Sequence, residues 1–285
     1  MVKKFSINDE EILSSNGESL LFLRHYQKGN PRQHILLVHG AIEYADRFSE
    51  FIKYLLDHLD NIKITTYDHL GHGRSGGARA YFKSLQILID DMEMIARREH
   101  EKLPDAHHWI FAHSMGGLIA LSSTFATNPP SSLKGIILSN PCIRPVVKYE
   151  ILLEKVVNKI EVLFPFFHLP TLYKGAHLTR DPIKANEFYT DPLISKFMTA
   201  RMAKEIYEWS KKIRRQAYYM RAPMLFLIGE QDQVVDPESS KLFASGIDKS
   251  LKTVIQYPQH YHDLCNELER DKIFERITVW MQEQL

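Results

Sequence analysis

The chain has 285 residues, of which 44% are hydrophobic and 25% charged, the usual balance of a globular protein with a substantial core. Its 36 basic and 35 acidic residues give a formal net charge of +1, which argues against nucleic acid as the main partner. The two cysteines, Cys142 and Cys265, form neither a disulfide framework nor a metal-ligand spacing. We therefore expect a reducing, cytoplasmic setting and no metal.

The N-terminal stretch MVKKFSINDEEILSS contains lysines but lacks the apolar segment of a secretion signal. No run approaches the roughly 18 consecutive apolar residues that a membrane span needs. The most apolar stretch, residues 160–170, is short and is interrupted by Pro165. The sequence therefore predicts that any membrane contact is peripheral.

Strand-like and helix-like segments alternate along most of the chain. The apolar or β-branched runs that predict strands are 19–26, 34–40, 62–68, 108–113, 135–140, 224–230 and 253–258. The segments with helical spacing of apolar residues are 46–59, 82–98 and 115–126, and a helix is expected after each of the last two strands. This alternation predicts an α/β fold with a mostly parallel central sheet and helices on both faces.

One interval, between Asn140 and Arg221, interrupts the alternation and contains no predicted strand. At about 80 residues it is too long for a connection without structure of its own. Helical spacing recurs at 147–164 and 200–215. The pairs Asp181-Pro182 and Asp191-Pro192 each predict a helix start, because an N-cap aspartate is followed by proline at the first helical position.

We therefore predict a core formed by residues 1–140 and 221–285 and a helical cap formed by residues 141–220. The cap segment VLFPFFHLP is more apolar than a small insertion can bury within itself, which predicts a ligand groove or a peripheral membrane contact. The alternative is that these side chains pack onto the sheet. Four basic residues are clustered near the end of the second cap helix: Lys211, Lys212, Arg214 and Arg215. We expect them to form a solvated helix face or, alternatively, to contact anionic lipid head groups.

The stretch WIFAHSMGGLIAL places Ser114 between a predicted strand and a predicted helix. A sharp turn there needs small residues two before and two after the serine, and Ala112 and Gly116 supply them. Such a turn exposes the hydroxyl at the carboxyl edge of the sheet and next to the N–H groups that begin a helix. Ser114 is therefore a candidate nucleophile; the alternative is that it only caps the helix.

A serine nucleophile needs a base, and the base needs an orienting acid. On such a sheet the acid and then the histidine follow the serine along the chain. Asp232 lies just past the strand 224–230, where the site is expected, whereas Asp236 is suited to cap the next helix. His260 and His262 both follow the last strand, and His262 lies closer to the next helix. We predict Asp232 and His262, with Asp236 and His260 as the alternatives.

Two backbone N–H groups are expected to bind the oxyanion that forms during attack. One belongs to Met115, which follows the serine, and the other to Ala41, in the loop after the strand 34–40. His39 is expected to support that loop through its ring. The glycine-rich segment 67–77 lacks the lysine and spacing of a phosphate-binding loop, so we expect a tight turn beneath Ser114. His69, His72 and His113 show no metal-ligand pattern.

Five segments occur in a fixed order: VHGAIEYADRF, YDHLGHGRSGG, AHSMGGLIAL, GEQDQVVD and YHDLCNE. With the cap segment LTRDPIKANEFYTDPLISKFMTARMAKEI, they resemble the monoacylglycerol lipase and lysophospholipase group of serine hydrolases, in the α/β-hydrolase superfamily. The resemblance extends from the region of Leu20 to the C-terminus. Ala112 departs from the glycine usual in this group, which affects efficiency more than mechanism.

The resemblance implies an α/β-hydrolase fold with Ser114 as nucleophile, Asp232 as acid, His262 as base, and the N–H groups of Ala41 and Met115 as the oxyanion hole. It further implies a serine ester hydrolase that removes one acyl chain from a small-molecule lipid ester, a monoacylglycerol or lysophospholipid, without a cofactor. The alternatives are a thioesterase, a small-ester carboxylesterase or an aminopeptidase on the same fold. A non-catalytic binding protein with a retained hydrolase fold is a fourth alternative.

Overall fold

The computed structural model describes residues 5–146, 160–171 and 173–285. Its strands are β1 (Ser6–Leu13), β2 (Leu20–Lys28), β3 (Gln33–Val38), β4 (Ile62–Tyr67), β5 (His107–His113), β6 (Leu133–Ser139), β7 (His168–Pro170), β8 (Phe197–Thr199), β9 (Met224–Gly229) and β10 (Lys252–Tyr257). Its α-helices are α1 (Ser49–His58), α2 (Leu85–Lys102), α3 (Met115–Ser122), α4 (Thr124–Thr127), α5 (Gly175–Leu178), α6 (Pro182–Thr190), α7 (Ala200–Ile213), α8 (Pro237–Ser245) and α9 (Arg270–Glu283). Short 3₁₀ turns lie at Ala45–Phe48, Ala217–Tyr219, Lys249–Leu251 and Leu264–Asn266.

Strands of the described residues form a central sheet in the order β1-β2-β4-β3-β5-β6-β9-β10. At one end of this sheet β2 pairs antiparallel with both β1 and β4. The neighbouring strands in the rest of the sheet, from β4 through β3, β5, β6 and β9 to β10, are all parallel. The register pairs Val38 with Ala112 and His113 with Ser139. The carboxyl ends of β3, β5 and β6 therefore lie side by side, and the loops that follow them meet at one edge.

Successive residues of each central strand pack against different helix layers. Leu36 and Val38 face a core shared with α2, α3, α7 and α8, whereas Ile35 and Leu37 face a core shared with α1 and α9. This alternation is the two-residue period of a strand, and burial on both faces explains why the sequence shows continuous apolar runs. The predicted mostly parallel α/β sheet with helices on both faces is confirmed.

The interval between β6 and β9 contains α5, α6, α7 and the antiparallel pair β7–β8. The prediction that this interval has no strand is wrong, because three-residue strands are too short to give a periodic signal. Its predicted helix at 200–215 is α7, which begins after a Thr199 side chain that accepts from the Met202 N–H. The predicted helix at 147–164 lies mostly outside the described residues.

The two Asp-Pro pairs have different outcomes. Asp181 caps α6 by accepting from the N–H groups of Ile183 and Lys184, as predicted. Asp191 instead follows the last residue of α6, and its side chain accepts from Leu193 N–H in a turn. The prediction of a helix start there is wrong, because the same Asp-Pro chemistry also suits a turn.

Two further elements differ from the sequence prediction. β1 was not predicted, because its sequence SINDEEIL is largely exposed and acidic and therefore lacks a buried face. The helix predicted at 115–126 is divided at Ser123, which adopts an extended backbone between α3 and α4. Within residues 5–146, 160–171 and 173–285, no helix is long and apolar enough to cross a membrane.

Candidate active site

Ser114 lies in the tight turn between β5 and α3. Its φ of 52° and ψ of −116° are unusual for a residue with a side chain, and such a conformation persists only where the surrounding structure enforces it. A Cβ at Gly116 would lie 2.3 Å from the carbonyl oxygen of Val38, and a Cβ at Gly117 would lie 2.7 Å from Pro141 Cβ. The glycines therefore allow α3 to approach the sheet closely enough to form this turn.

The Ser114 side chain does not cap α3, although the residue occupies the N-cap position. Its hydroxyl lies 2.9 Å from His262 Nε2. The opposite ring nitrogen, Nδ1, lies 2.6 Å from Asp232 Oδ2. Because the ionised carboxylate only accepts, Nδ1 carries the proton and Nε2 is left to accept from the serine hydroxyl. The structure thus brings together the serine, histidine and aspartate that the sequence selects.

Asp232 and His262 are held in place by hydrogen bonds to the backbone. Asp232 Oδ1 accepts from the N–H groups of Val234 and Val235, at 2.7 Å and 3.0 Å. The His262 carbonyl accepts from Asn140 Nδ2 at 2.7 Å. The Asn140 side chain also accepts from Gly229 N–H at 2.8 Å. Asn140 therefore connects the ends of β6 and β9 to the histidine loop, a role that sequence reasoning missed.

The two alternative candidates lie elsewhere. Asp236 caps α8, where its Oδ1 accepts from Glu238 N–H at 3.1 Å. The His260 ring is next to Tyr257, with Nε2 3.5 Å from a Glu269 carboxylate oxygen. The hydrogen-bonded chain from Ser114 includes neither of them.

Burial alone would lower the pKa of His262, since it disfavours the charged ring. The charge and hydrogen bond of Asp232 raise this pKa, and the carboxylates of Asp263 and Glu43 add to the effect. The net result is a raised pKa. The imidazolium that forms when a serine is deprotonated would therefore be stabilised where it forms.

The peptide between Gly40 and Ala41 has a defined orientation. The backbone N–H of His69 donates to His39 Nε2 at 2.9 Å, which leaves the proton of this buried ring on Nδ1. Nδ1 then donates to the Gly40 carbonyl at 2.7 Å. Since a trans peptide directs its N–H away from its carbonyl, the ring orients the Ala41 N–H. His39 supports the loop through its ring, as expected.

A small cavity is lined by Ser114, His262 and Ala41. One part of its wall is apolar and comes from the interval between β6 and β9: Tyr173, Leu178, Phe188 and Ile194. The other part is polar and comes from the sheet loops: Glu43, Arg47, His113 and Asp263. Met115, the second predicted oxyanion residue, is the fully buried first residue of α3.

The polar wall contains a buried charge cluster that sequence reasoning missed. Arg47 donates to Glu43 Oε2 at 3.2 Å and to Asp263 Oδ2 at 2.7 Å. Burial and the nearby Asp263 raise the pKa of Glu43 to about 7, although Arg47 opposes the shift. Burial acts in the same direction on Asp263, but Arg47 outweighs it and holds the pKa of that carboxyl below its usual value. The cavity therefore contains an ionised carboxylate beside His262.

Neither cysteine is part of this arrangement. Cys142 and Cys265 are free and buried, and burial raises the pKa of Cys142 to about 12. In the part of the chain that the structure describes, no group of three His, Cys, Asp or Glu side chains is placed to hold a metal ion.

Comparisons with known proteins identify relatives of most of the chain. A family model described as "Serine aminopeptidase, S33" matches residues 29–269. The monoacylglycerol lipase of Mycolicibacterium smegmatis is 25% identical over 260 residues, which cover 90% of this chain and 90% of that protein. An abhydrolase domain-containing protein of Dictyostelium discoideum is 25% identical over 278 residues, 96% of this chain, which spans only 29% of that longer protein.

Among solved structures, one similar fold is that of a soluble variant of monoglyceride lipase from Saccharomyces cerevisiae, crystallised with a substrate analogue. The TM-score is 0.85 at 18% sequence identity, with 100% of this chain and 97% of that chain covered. A likeness at this identity shows a shared fold, here that of the α/β-hydrolases.

The geometry predicts unequal effects within each pair of candidates. Asp232→Asn should lower kcat for p-nitrophenyl ester hydrolysis by about 10⁴-fold, because the amide favours the wrong imidazole tautomer. Asp236→Asn, its matched control, should leave kcat within about twofold, because this side chain caps a helix. In the same way, His262→Ala should lower kcat strongly, whereas His260→Ala should change it little. Similar kcat losses within either pair would show that the wrong residue was chosen.

The carboxylate of Asp263 should influence the pH dependence of kcat/KM for ester hydrolysis. It raises the pKa of His262, and the imidazole must be neutral to accept the serine proton. Asp263→Asn should therefore shift the acidic limb of kcat/KM to lower pH, while the asparagine oxygen still accepts from Arg47. The measurement is kcat/KM between about pH 5 and 9, with Asp236→Asn as the control. An acidic limb that Asp263→Asn leaves in place would contradict this account.

Proposed function

The chain belongs to the serine aminopeptidase S33 family of α/β-hydrolases and is an ester hydrolase, and from this premise we propose that it removes a single acyl chain from monoacylglycerols or lysophospholipids. The observation that carries the proposal is the hydrogen-bonded chain from Ser114 through His262 to Asp232 beside an apolar wall. We further propose that residues 141–220 act as a cap over this site.

In the proposed reaction the Ser114 oxygen attacks the ester carbonyl while His262 Nε2 takes the hydroxyl proton. The negative charge of Asp232 stabilises the imidazolium, which then gives its proton to the departing alcohol. The N–H groups of Ala41 and Met115 would bind the oxyanion. Water, deprotonated by the same imidazole, then attacks the acyl-Ser114 ester, and the imidazolium returns the proton to the Ser114 oxygen as the fatty acid leaves.

The two parts of the cavity wall support an amphiphilic substrate. The apolar side chains of Tyr173, Leu178, Phe188 and Ile194 suit an acyl chain, and each methylene that they bury contributes up to about 0.8 kcal/mol. The polar wall around Arg47 suits a hydrated leaving group such as glycerol. The name of the Mycolicibacterium smegmatis relative, a monoacylglycerol lipase, agrees with this assignment.

A surface of the proposed cap supports peripheral membrane contact. Five apolar side chains expose half or more of their area: Val162, Leu163, Phe164, Phe166 and Phe167. Their exposure argues against the alternative that they pack onto the sheet, and none of the five lines the cavity. Phe166 stacks on Tyr81, with 4.3 Å between the ring centroids. Of the basic cluster near the end of α7, Lys212 lies over Trp209 at 3.8 Å. An exposed apolar patch of this kind is typical of a surface that contacts lipid.

The proposed substrate class is tested with monoacyl esters of increasing chain length, compared with acyl-CoA, aminoacyl amides and triacylglycerols. We expect kcat/KM to rise by up to about fourfold per methylene until the pocket is filled. Ile194→Trp should shorten the preferred chain, because this residue lines the apolar wall. Ser114→Ala, the inactive control, should lose all measurable turnover. A preference for acetyl esters or aminoacyl amides that Ile194→Trp leaves unchanged would contradict the proposal.

The proposed membrane contact is tested separately with Phe166→Asp and Phe167→Asp. Both variants should sediment less with vesicles that contain anionic lipid, while hydrolysis of a water-soluble ester stays at the wild-type rate because neither side chain lines the cavity. Tyr218→Asp, at an exposed tyrosine outside the apolar patch, is the matched control. Equal vesicle binding by all three variants and the wild type would refute the contact.

A further inference from the structure

The loop after β3 contains two features that an ordinary turn does not need. Ile42 has a φ of 60°, in the left-handed region that costs free energy for a β-branched residue. A Cβ at Gly40 would lie 2.8 Å from Glu43 Oε1 and 3.1 Å from Ser114 Cβ. The loop is therefore pressed against the nucleophile, in a backbone conformation that must be held from outside.

The Glu43 side chain holds this loop from within it. Its Oε1 accepts from the backbone N–H of Gly40 at 2.6 Å, and the carboxyl group is buried. The next peptide is fixed by His39, whose Nδ1 donates to the Gly40 carbonyl at 2.7 Å. Both peptide planes that flank Gly40 are thus fixed by side chains. Since glycine is the residue with the greatest backbone freedom, these two bonds determine the direction of the Ala41 N–H.

We propose that Glu43 is a positioning residue, which acts through the Gly40 N–H to hold the Ala41 N–H against the oxyanion in the transition state. The inference rests on the proposed function, because it needs an oxyanion at Ser114. The contribution of a donor to an oxyanion hole depends on its being fixed before the reaction begins.

The alternative is that Glu43 acts only as a partner in a structural ion pair. That alternative predicts the opposite order of activity for the aspartate and glutamine variants. Glu43 Oε2 accepts from Arg47 Nε at 3.2 Å, and Oε1 lies 4.0 Å from His113 Nε2. If the charge mattered through Arg47, an aspartate would replace glutamate better than a glutamine would. If the bond to Gly40 matters, glutamine would be better, because its amide oxygen reaches the N–H and the shorter aspartate does not.

The experiment therefore compares Glu43→Gln and Glu43→Asp in ester hydrolysis. Glu43→Gln should keep kcat within about threefold of the wild type. Glu43→Asp should lower kcat by about 10- to 100-fold, which is less than the 10²–10³-fold loss seen when an oxyanion donor is removed outright. KM should change little in either variant, because the lost interaction exists mainly in the transition state.

A trifluoromethyl ketone, which adds to the serine and carries an oxyanion, supplies the second measurement. Its inhibition constant should rise in Glu43→Asp in parallel with the loss of kcat/KM and stay near the wild-type value in Glu43→Gln. Glu187→Gln is the matched control, since Glu187 also faces Arg47, at 3.4 Å, but does not contact Gly40. Thermal melting establishes that all three variants fold.

Three results would overturn the inference: full activity of Glu43→Asp, an equal loss in Glu43→Gln, or a loss of kcat with no change in ketone affinity. Failure of the proposed function has a different signature, because the wild type itself would then hydrolyse no acyl ester and bind no trifluoromethyl ketone at Ser114. That result would remove both proposals at once.

Discussion

The close approach of α3 to β3 is the constraint on which the site depends. It is possible only because Gly116 has no Cβ to collide with the carbonyl oxygens of Val38 and His39. The approach forces Ser114 into its unusual backbone conformation and holds its hydroxyl at the carboxyl edge of the sheet. The parallel register of β3, β5 and β6 brings the Ala41 loop to the same place. The sheet, the turn at Ser114 and the Ala41 loop are therefore parts of one packing arrangement.

The site also depends on buried carboxylates whose negative charges lie close to His262. Two carboxylates near Ser114 are bonded to specific partners: Asp232 to backbone N–H groups, and Asp263 to Arg47 and Asn266. Such pairing limits the cost of burial and keeps the negative charges close to His262.

Much of this arrangement could be predicted from the sequence because its signals are local. Strands buried on both faces give continuous apolar runs, and the order Ser114, Asp232, His262 follows from the loops at one sheet edge. The roles of Glu43 and Asn140 could not be predicted, because they leave no local signal in the sequence. Their partners are backbone groups, Gly40 N–H for one and the ends of distant loops for the other, and such bonds leave no pattern in side-chain spacing. The acidic β1 gave no signal because it has no buried face.

The most direct test of the central claim, a covalent intermediate on Ser114, is mass spectrometry of the protein quenched in acid during turnover of a p-nitrophenyl ester. The account predicts that the intact mass rises by that of one acyl group and that peptide mapping assigns the group to Ser114. The Ser114→Ala protein should show neither the adduct nor turnover, since loss of the nucleophile typically costs about 10⁴–10⁶ in kcat. An adduct on another residue, or undiminished turnover by Ser114→Ala, would contradict the account.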